Sequence, residues 1–413
     1  MKISCEQKHL ASALRSIDAV SPRRGTLPIL GYFLLDAEET GQLNITATDL
    51  ETTMTAYINA TVEEAGKECV PAKIFGDLIQ AIDSDVVRII TSDIPDATDA
   101  TDTDASDTDA SDTDNKQSAG LDVRYGRAKS HFITADPGDY PMLPLLEDAQ
   151  TLKISSNEFR KSLGQTLFSI SSNNQQVVLS GAQMVVSEQG YKITGSDGYR
   201  IAITEESHTD AGWAPVTLVI PKSTLNEMWQ LPYTKDSDVT INISSRFAQF
   251  EVECENFSLV ATGTLLQGNY PNTDHLLYKD DCTILGAINV EAMKTAVQMC
   301  GYFAEHCNDK TLRMKITPSP DDTGKGLILL SSGDEGNAVV RQEVDMDIRQ
   351  MDTSEFDIKF NYNYILSLLS LMHSRRVEKI FMEMRNPLSP CIFTVDPEFP
   401  DYRYMAMPLQ TTR

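Results

Sequence analysis

A chain of 413 residues exceeds what one hydrophobic core ordinarily supports, so two to four domains are expected. Its formal net charge of −25 lacks the overall basic footprint of an ordinary nucleic-acid-binding domain, and no run of about 18 apolar residues offers a membrane span. Seven scattered cysteines, an odd number, fit reduced thiols and not a disulfide framework; with no apolar leader after Met1, a cytoplasmic location is expected.

Taken in chain order, the first expected helix carries Leu10, Leu14 and Ile17 on one face, the spacing of a half-buried helix. A strand then ends in an acidic turn, ITATDL, with Asp49. The phrase VPAKIFGDLIQAI opens a second helix from 71, where a proline at the first turn suits a helix start. Residues 93–114 hold nine aspartates and otherwise only Ala, Thr, Ser, one Ile and one Pro. Such a segment has nothing to bury against its ordering entropy and reads as a disordered hairpin-tip insert. It lacks the glycine and closing glutamate of an EF-hand loop.

The same order then returns twice. Phe159, Leu163 and Leu167 form the next helical face, followed by ITGSDG with Asp197 and a helix from Ile220 (IPKSTLNEMWQL). In VTINI, Val239, Ile241 and Ile243 alternate as in a half-buried strand, as do Phe250, Val252 and Cys254. Met293, Val297 and Cys300 mark the third face, LSSGDEG carries Asp334, and FNYNYILSLLSLM opens the last helix from Phe360. An aromatic-proline phrase closes each round: GDYPMLP at 138–144, GNYPNTDHL at 268–276 and FPDYRYMAMP at 399–408. Their prolines, Pro141, Pro271 and Pro400, lie 130 and 129 residues apart. The reading is α+β: three tandem copies of one domain, each with two helices covering one face of antiparallel sheet. Boundaries are expected at 1–146 (with an acidic insert over 93–117), 147–279 and 280–413.

Nothing in the pattern points to catalysis. There is no GxxxxGK[ST] or GxSxG, and the six histidines have no recurrent carboxylate partner. Cys300, His306 and Cys307 lie close together, but no second pair completes four metal ligands; no metal and no cofactor are expected. Asp49, Asp197 and Asp334 recur at equivalent positions, as residues that cap their own turns do.

TLPILGYFLL (26–35), TATDLE (46–51), VPAK (70–73), SDGYRIAI (196–203) and YMAMPL (404–409), in this order on a threefold repeat, resemble the beta subunit of bacterial DNA polymerase III, the sliding clamp. The resemblance implies a non-enzymatic processivity factor: a head-to-tail homodimeric ring around double-stranded DNA, held without sequence preference. It implies partners in the polymerase III alpha subunit, clamp-loader subunits and other proteins with a clamp-binding motif. Helices would line the hole, so basic residues there can face DNA while acids face outward, since charges are screened over about 8 Å. Arg24, Lys73 and Lys222 are the DNA-contact candidates; Lys8, Arg15, Arg160, Lys161 and Lys294 also lie on or beside helices. Phe132, in SHFITA, and Tyr302 or Phe303 are the candidates for the dimer interface.

The resemblance further implies a pocket for short linear peptides. Carried over by motif, its wall is Leu179, Ser196, Gly198, Tyr199, Arg200 and Ile201, then Pro271, His275 and Leu276. Asn361, Tyr364, Leu388, Met405, Met407, Pro408 and Leu409 complete it. Methionines and leucines make an adaptable apolar slot, which a few polar groups orient. The sequence departs from the pattern at His275, where a basic residue is usual, at Val177–Val178, which replace two tyrosines, and in the extra tail QTTR. A peptide-binding scaffold of the same fold that does not engage DNA is the alternative.

Overall fold

The computed structural model describes residues 1–22, 27–92, 120–172, 176–208, 212–273, 276, 282–307, 309–322, 324–334, 338–396 and 401–409. The acidic insert, Arg24 and His275 lie outside them. Six α-helices are described: α1 (Gln7–Ile17), α2 (Ala72–Ala81), α3 (Ser156–Thr166), α4 (Lys222–Gln230), α5 (Val290–His306) and α6 (Tyr362–Ser374). One order of elements recurs three times: a strand, a helix, several strands, a second helix, and three closing strands. The apolar faces read from spacing are buried in each round, with Leu14, Phe159 and Val297 wholly excluded from solvent.

The second helix of each round starts slightly later than expected. Pro71 and Pro221 are the last residues of strands, opposite Tyr32 and Gly181. Proline here ends the ladder and the helix begins one residue on; it does not sit inside the first turn.

The chain divides into two compact units. The first comprises Met1–Phe159 and Ser223–Leu265. It holds a five-stranded antiparallel sheet in the order Thr61–Glu64, Lys2–Glu6, Val86–Ser92, Gly120–Tyr125, Ala128–Ile133. Its eight-stranded sheet runs Gln150–Ser155, Asp238–Ile243, Phe247–Glu253, Ser258–Thr264, Thr52–Asn59, Gln42–Thr48, Tyr32–Glu38, Gly66–Pro71. At its centre the last strand of the second round pairs with one from the first, from Ser258 opposite Tyr57 to Gly263 opposite Thr52.

The second unit comprises Arg160–Lys222 and Leu266–Arg413. Its twelve-stranded sheet repeats that joint: Tyr402–Ala406, the last strand of the third round, pairs with Arg200–Ser207 of the second. The 14-residue strand Ala338–Met351 runs through it, pairing with Lys325–Asp334 along one part and Ile284–Asn289 along the other. Residues 338–345 are paired on one side only, as is Ala128–Ile133 in the first unit.

Candidate functional site

The acidic turns of the first two rounds are built alike. Asp49 accepts the backbone N–H groups of Glu51 (2.9 Å) and Thr52 (2.7 Å) through Oδ1, and Asp197 those of Tyr199 (3.0 Å) and Arg200 (2.9 Å). The residue after each has positive φ: Leu50 at 76° and Gly198 at 89°. Only the second turn has glycine there, which adopts this conformation without the Cβ strain Leu50 carries. Both turns are tightened by a hydroxyl: Ser196 accepts from Gly198 N–H at 3.1 Å and donates to the Arg200 carbonyl at 3.0 Å, and Thr48 accepts from Leu50 N–H at 3.1 Å and donates to the Thr52 carbonyl at 3.0 Å.

Asp197 also holds the Arg200 side chain, accepting from Nε at 2.9 Å. The guanidinium then lies over the rings of Tyr364 (4.8 Å) and Phe168 (5.7 Å). Phe168 stacks on Tyr404 at 5.6 Å, and the Tyr404 hydroxyl donates to the Tyr364 carbonyl on α6 at 3.0 Å. Burial pushes the Tyr364 and Tyr404 phenols above their ordinary range. These tyrosines therefore act as apolar walls with a hydrogen-bonding tip.

Strand pairing brings the chain's end to this turn. Arg200 lies opposite Ala406 and Ile201 opposite Met405. Ile201, Ile203, Ile392 and Met405 form a buried cluster against which Leu276 packs. Beyond the strand, Met407 N–H donates to the Tyr199 carbonyl (2.8 Å) and Leu409 N–H to the Lys359 carbonyl (2.8 Å). Leu409 and Leu388 line one cleft of about 360 Å³ with Arg313, Asp357 and Lys359. Leu179 is buried, and a Cβ on Gly198 would lie 3.9 Å from it.

The expected pocket residues thus separate by burial. Tyr199 and Leu388 are about two-thirds exposed; Pro271 and Leu409 are exposed, and Met407 and Pro408 half-buried. Ile201 and Met405 point to the face opposite that of Ala202 and Tyr404, which enter the main core with the helices, and are buried there in the small cluster that Leu276 covers. Asn361 caps α6, accepting from Asn363 N–H. Phe168 and Asp197 were not singled out as pocket residues. Phe168 falls just past Leu167 and off the apolar helix face, so periodicity gave no sign of it.

The other candidates separate similarly. Lys73 is exposed near the start of α2 and pairs with Asp77 at 3.0 Å. Lys222 donates to the Ile170 carbonyl at 3.0 Å, and burial, aided by nearby Arg200, draws its ammonium below the ordinary lysine range. It is therefore engaged within the fold. Phe132 is a core ring, 7% exposed and edge-on to Phe75; the exposed large apolar side chain of its edge strand is Ile133, beside the exposed Lys129 and His131. Tyr302 is exposed and Phe303 half-buried on α5.

Residues 1–111 match the N-terminal domain of the DNA polymerase III beta subunit, and residues 153–272 its central domain. The chain belongs to the DNA polymerase III beta subunit family. It is similar to the beta sliding clamp of Caulobacter vibrioides, 25% identical over 99% of this chain and 100% of that one. It is also similar to that of Synechococcus elongatus, at 23% over 99% of each. Among solved structures, a DNA polymerase III beta subunit from Eubacterium rectale superposes with a TM-score of 0.83 at 23% identity, each chain covered in full. The Bacillus subtilis DNA polymerase sliding clamp does so at 0.82 and 19%, covering 100% of this chain and 99% of that one. The fold of this family is α+β, three tandem copies of the clamp domain.

Proposed function

We propose that two copies of this chain close head to tail into a ring around duplex DNA, and that the ring tethers a replicative polymerase through the apolar site beside Tyr199. The observation that carries the ring is the joint repeated within the chain. In each unit the last strand of one round pairs with a strand of the round before it. Among the strand edges of the described residues, one in the first round, Ala128–Ile133, and one in the third, residues 338–345, are suited to such a joint. An unpaired strand edge is a template for a further strand, and joining these two edges between copies extends the same joint into a closed dimer. Ile133 and Tyr302 then supply apolar contact beside the strands.

Enclosure answers the charge objection. Phosphate contacts alone give affinities of about 10⁻⁴ to 10⁻⁶ M, too weak to hold a polymerase on DNA. A ring needs no tight contact, and weak contacts let it slide. Lys73, solvent-exposed on its helix, fits such a contact, while Lys222 contributes chiefly by holding the 170–172 segment. The chain itself catalyses nothing in this reading; it acts inside the cell, and a separate loader opens the ring. Among the described residues no helix is long and apolar enough to cross a membrane.

Sizing in solution tests the dimer: the expected mass is twice the 45.8 kDa chain, and a stable monomer at micromolar concentration would refute the ring.

A further inference from the structure

The face of the third-round sheet turned away from α5 and α6 carries a row of cations. Lys359 lies opposite Arg313, Arg313 opposite Ser331, and Ser331 opposite Arg341, on four consecutive strands. Directly opposed residues point to the same face. The residues beside them, Leu312, Leu330, Ile358 and Phe360, are buried on the other face with the two helices. The next row on the charged face, Asp357, Lys315, Leu329 and Glu343, is mixed. Arg313 is committed to Asp357, and Lys315 to Glu355. Among the described residues Arg341 and Lys359 have no ion-pair partner, in a chain of net charge −25.

This row lies in a cleft of about 390 Å³. Two of its residues, Arg313 and Lys359, also line the cleft that holds Leu388 and Leu409. The cationic path therefore starts at the edge of the apolar site. Three strand spacings of about 4.8 Å make it about 14 Å long, the reach of about four extended residues.

We infer that this row seats an acidic extension of the peptide whose apolar anchor occupies the Leu388–Leu409 cleft, an inference that rests on the pocket assignment above. Carboxylates on the extension meet Lys359 first and Arg341 last, with Ser331 as a small floor between them. A peptide fits this path better than a nucleic-acid strand because the row opens onto the cleft lined by Leu388 and Leu409, where an apolar side chain can anchor.

The test compares three synthetic peptides on the full chain: a pentapeptide ending in leucine and phenylalanine, and the same peptide with four aspartates added at either end. One of the two extended peptides is expected to bind about fivefold tighter than the pentapeptide at low salt, the gain of a few exposed charge contacts. That ratio should fall to one in Lys359→Glu, and in the unaltered chain at about 0.5 M NaCl. It should persist in Lys153→Glu, which carries the same charge change at an exposed strand position elsewhere. No gain from either extension, or a gain that survives Lys359→Glu, overturns the inference while leaving the pocket standing. A pentapeptide that itself fails to bind removes the pocket and the inference together. Binding of an oligodeoxythymidylate that is lost in Lys359→Glu, with no gain from aspartates, assigns the row to nucleic acid and overturns it as well.

Discussion

The backbone N–H of Met407 donates to the carbonyl oxygen of Tyr199 across 2.8 Å, fastening the end of the chain to the turn that Asp197 organises. Truncation should therefore separate two roles. Met405 and Ala406 are strand residues paired with Ile201 and Arg200, whereas residues from 407 onward lie beyond the ladder. Removing residues 407–413 is expected to weaken binding of an apolar peptide about tenfold or more, with the dimer intact. Unchanged affinity, measured by fluorescence anisotropy, would refute the assignment. A cut that also removes Met405 should damage the buried cluster and lower stability.

Asp197 accepts two backbone N–H groups and the Arg200 guanidinium. Asp197→Ala is expected to cost about 1–3 kcal/mol, as loss of hydrogen bonds to a charged acceptor does, and to free Arg200 from the Tyr364 ring. Denaturant midpoints and peptide affinity should fall together, and Asp197→Asn should restore part of both. A variant that loses neither would show that the turn holds without its acid.

α5 and α6 pack closely at one small residue. A Cβ at Gly301 would stand 2.7 Å from Cε2 of the buried Tyr362 ring, so Gly301→Ala forces a shift in a filled core. The expected cost is about 1–3 kcal/mol, read as a lower thermal midpoint. No change would mean that the ring relaxes freely.

Much of this was legible beforehand, and the reasons are local. Leu14, Phe159 and Val297 announced helix faces because the 3.6-residue period is written in consecutive sequence. Asp49 and Asp197 were read correctly as turn caps for the same reason. Pairing of Ser258–Thr264 with Thr52–Asn59 was not legible, since a joint between strands about 200 residues apart leaves no local pattern. The site divides along the same line. Its motif residues gather around Tyr199, but sequence gave no sign that Lys222 is engaged with the Ile170 carbonyl, or that Phe168 lies beneath Arg200. Burial and rotamer direction depend on neighbours supplied from elsewhere in the chain.

Acid stability provides a further check. Asp347 accepts hydrogen bonds from Lys325 and Lys379, and these draw its carboxyl down to about 2. A depressed carboxyl stabilises the fold above its unfolded pKa, near 4, and the contribution is lost as pH falls through the folded value. The group is largely exposed, so the effect is screened and should stay below about 1 kcal/mol. Asp347→Asn is therefore expected to be slightly less stable than the unaltered chain at pH 7. The two should converge between about pH 4 and 2. A constant difference down to pH 2 would show that the ion pairs are not its source.

Topological retention tests the ring most directly. The chain, placed on nicked circular DNA by a clamp loader, should remain bound through gel filtration and be lost once the circle is cut to a linear form. Ends matter only to a protein that encloses the duplex. Retention that is equal on circular and linear DNA, or that falls with salt alone, would contradict enclosure and leave an ordinary phosphate binder.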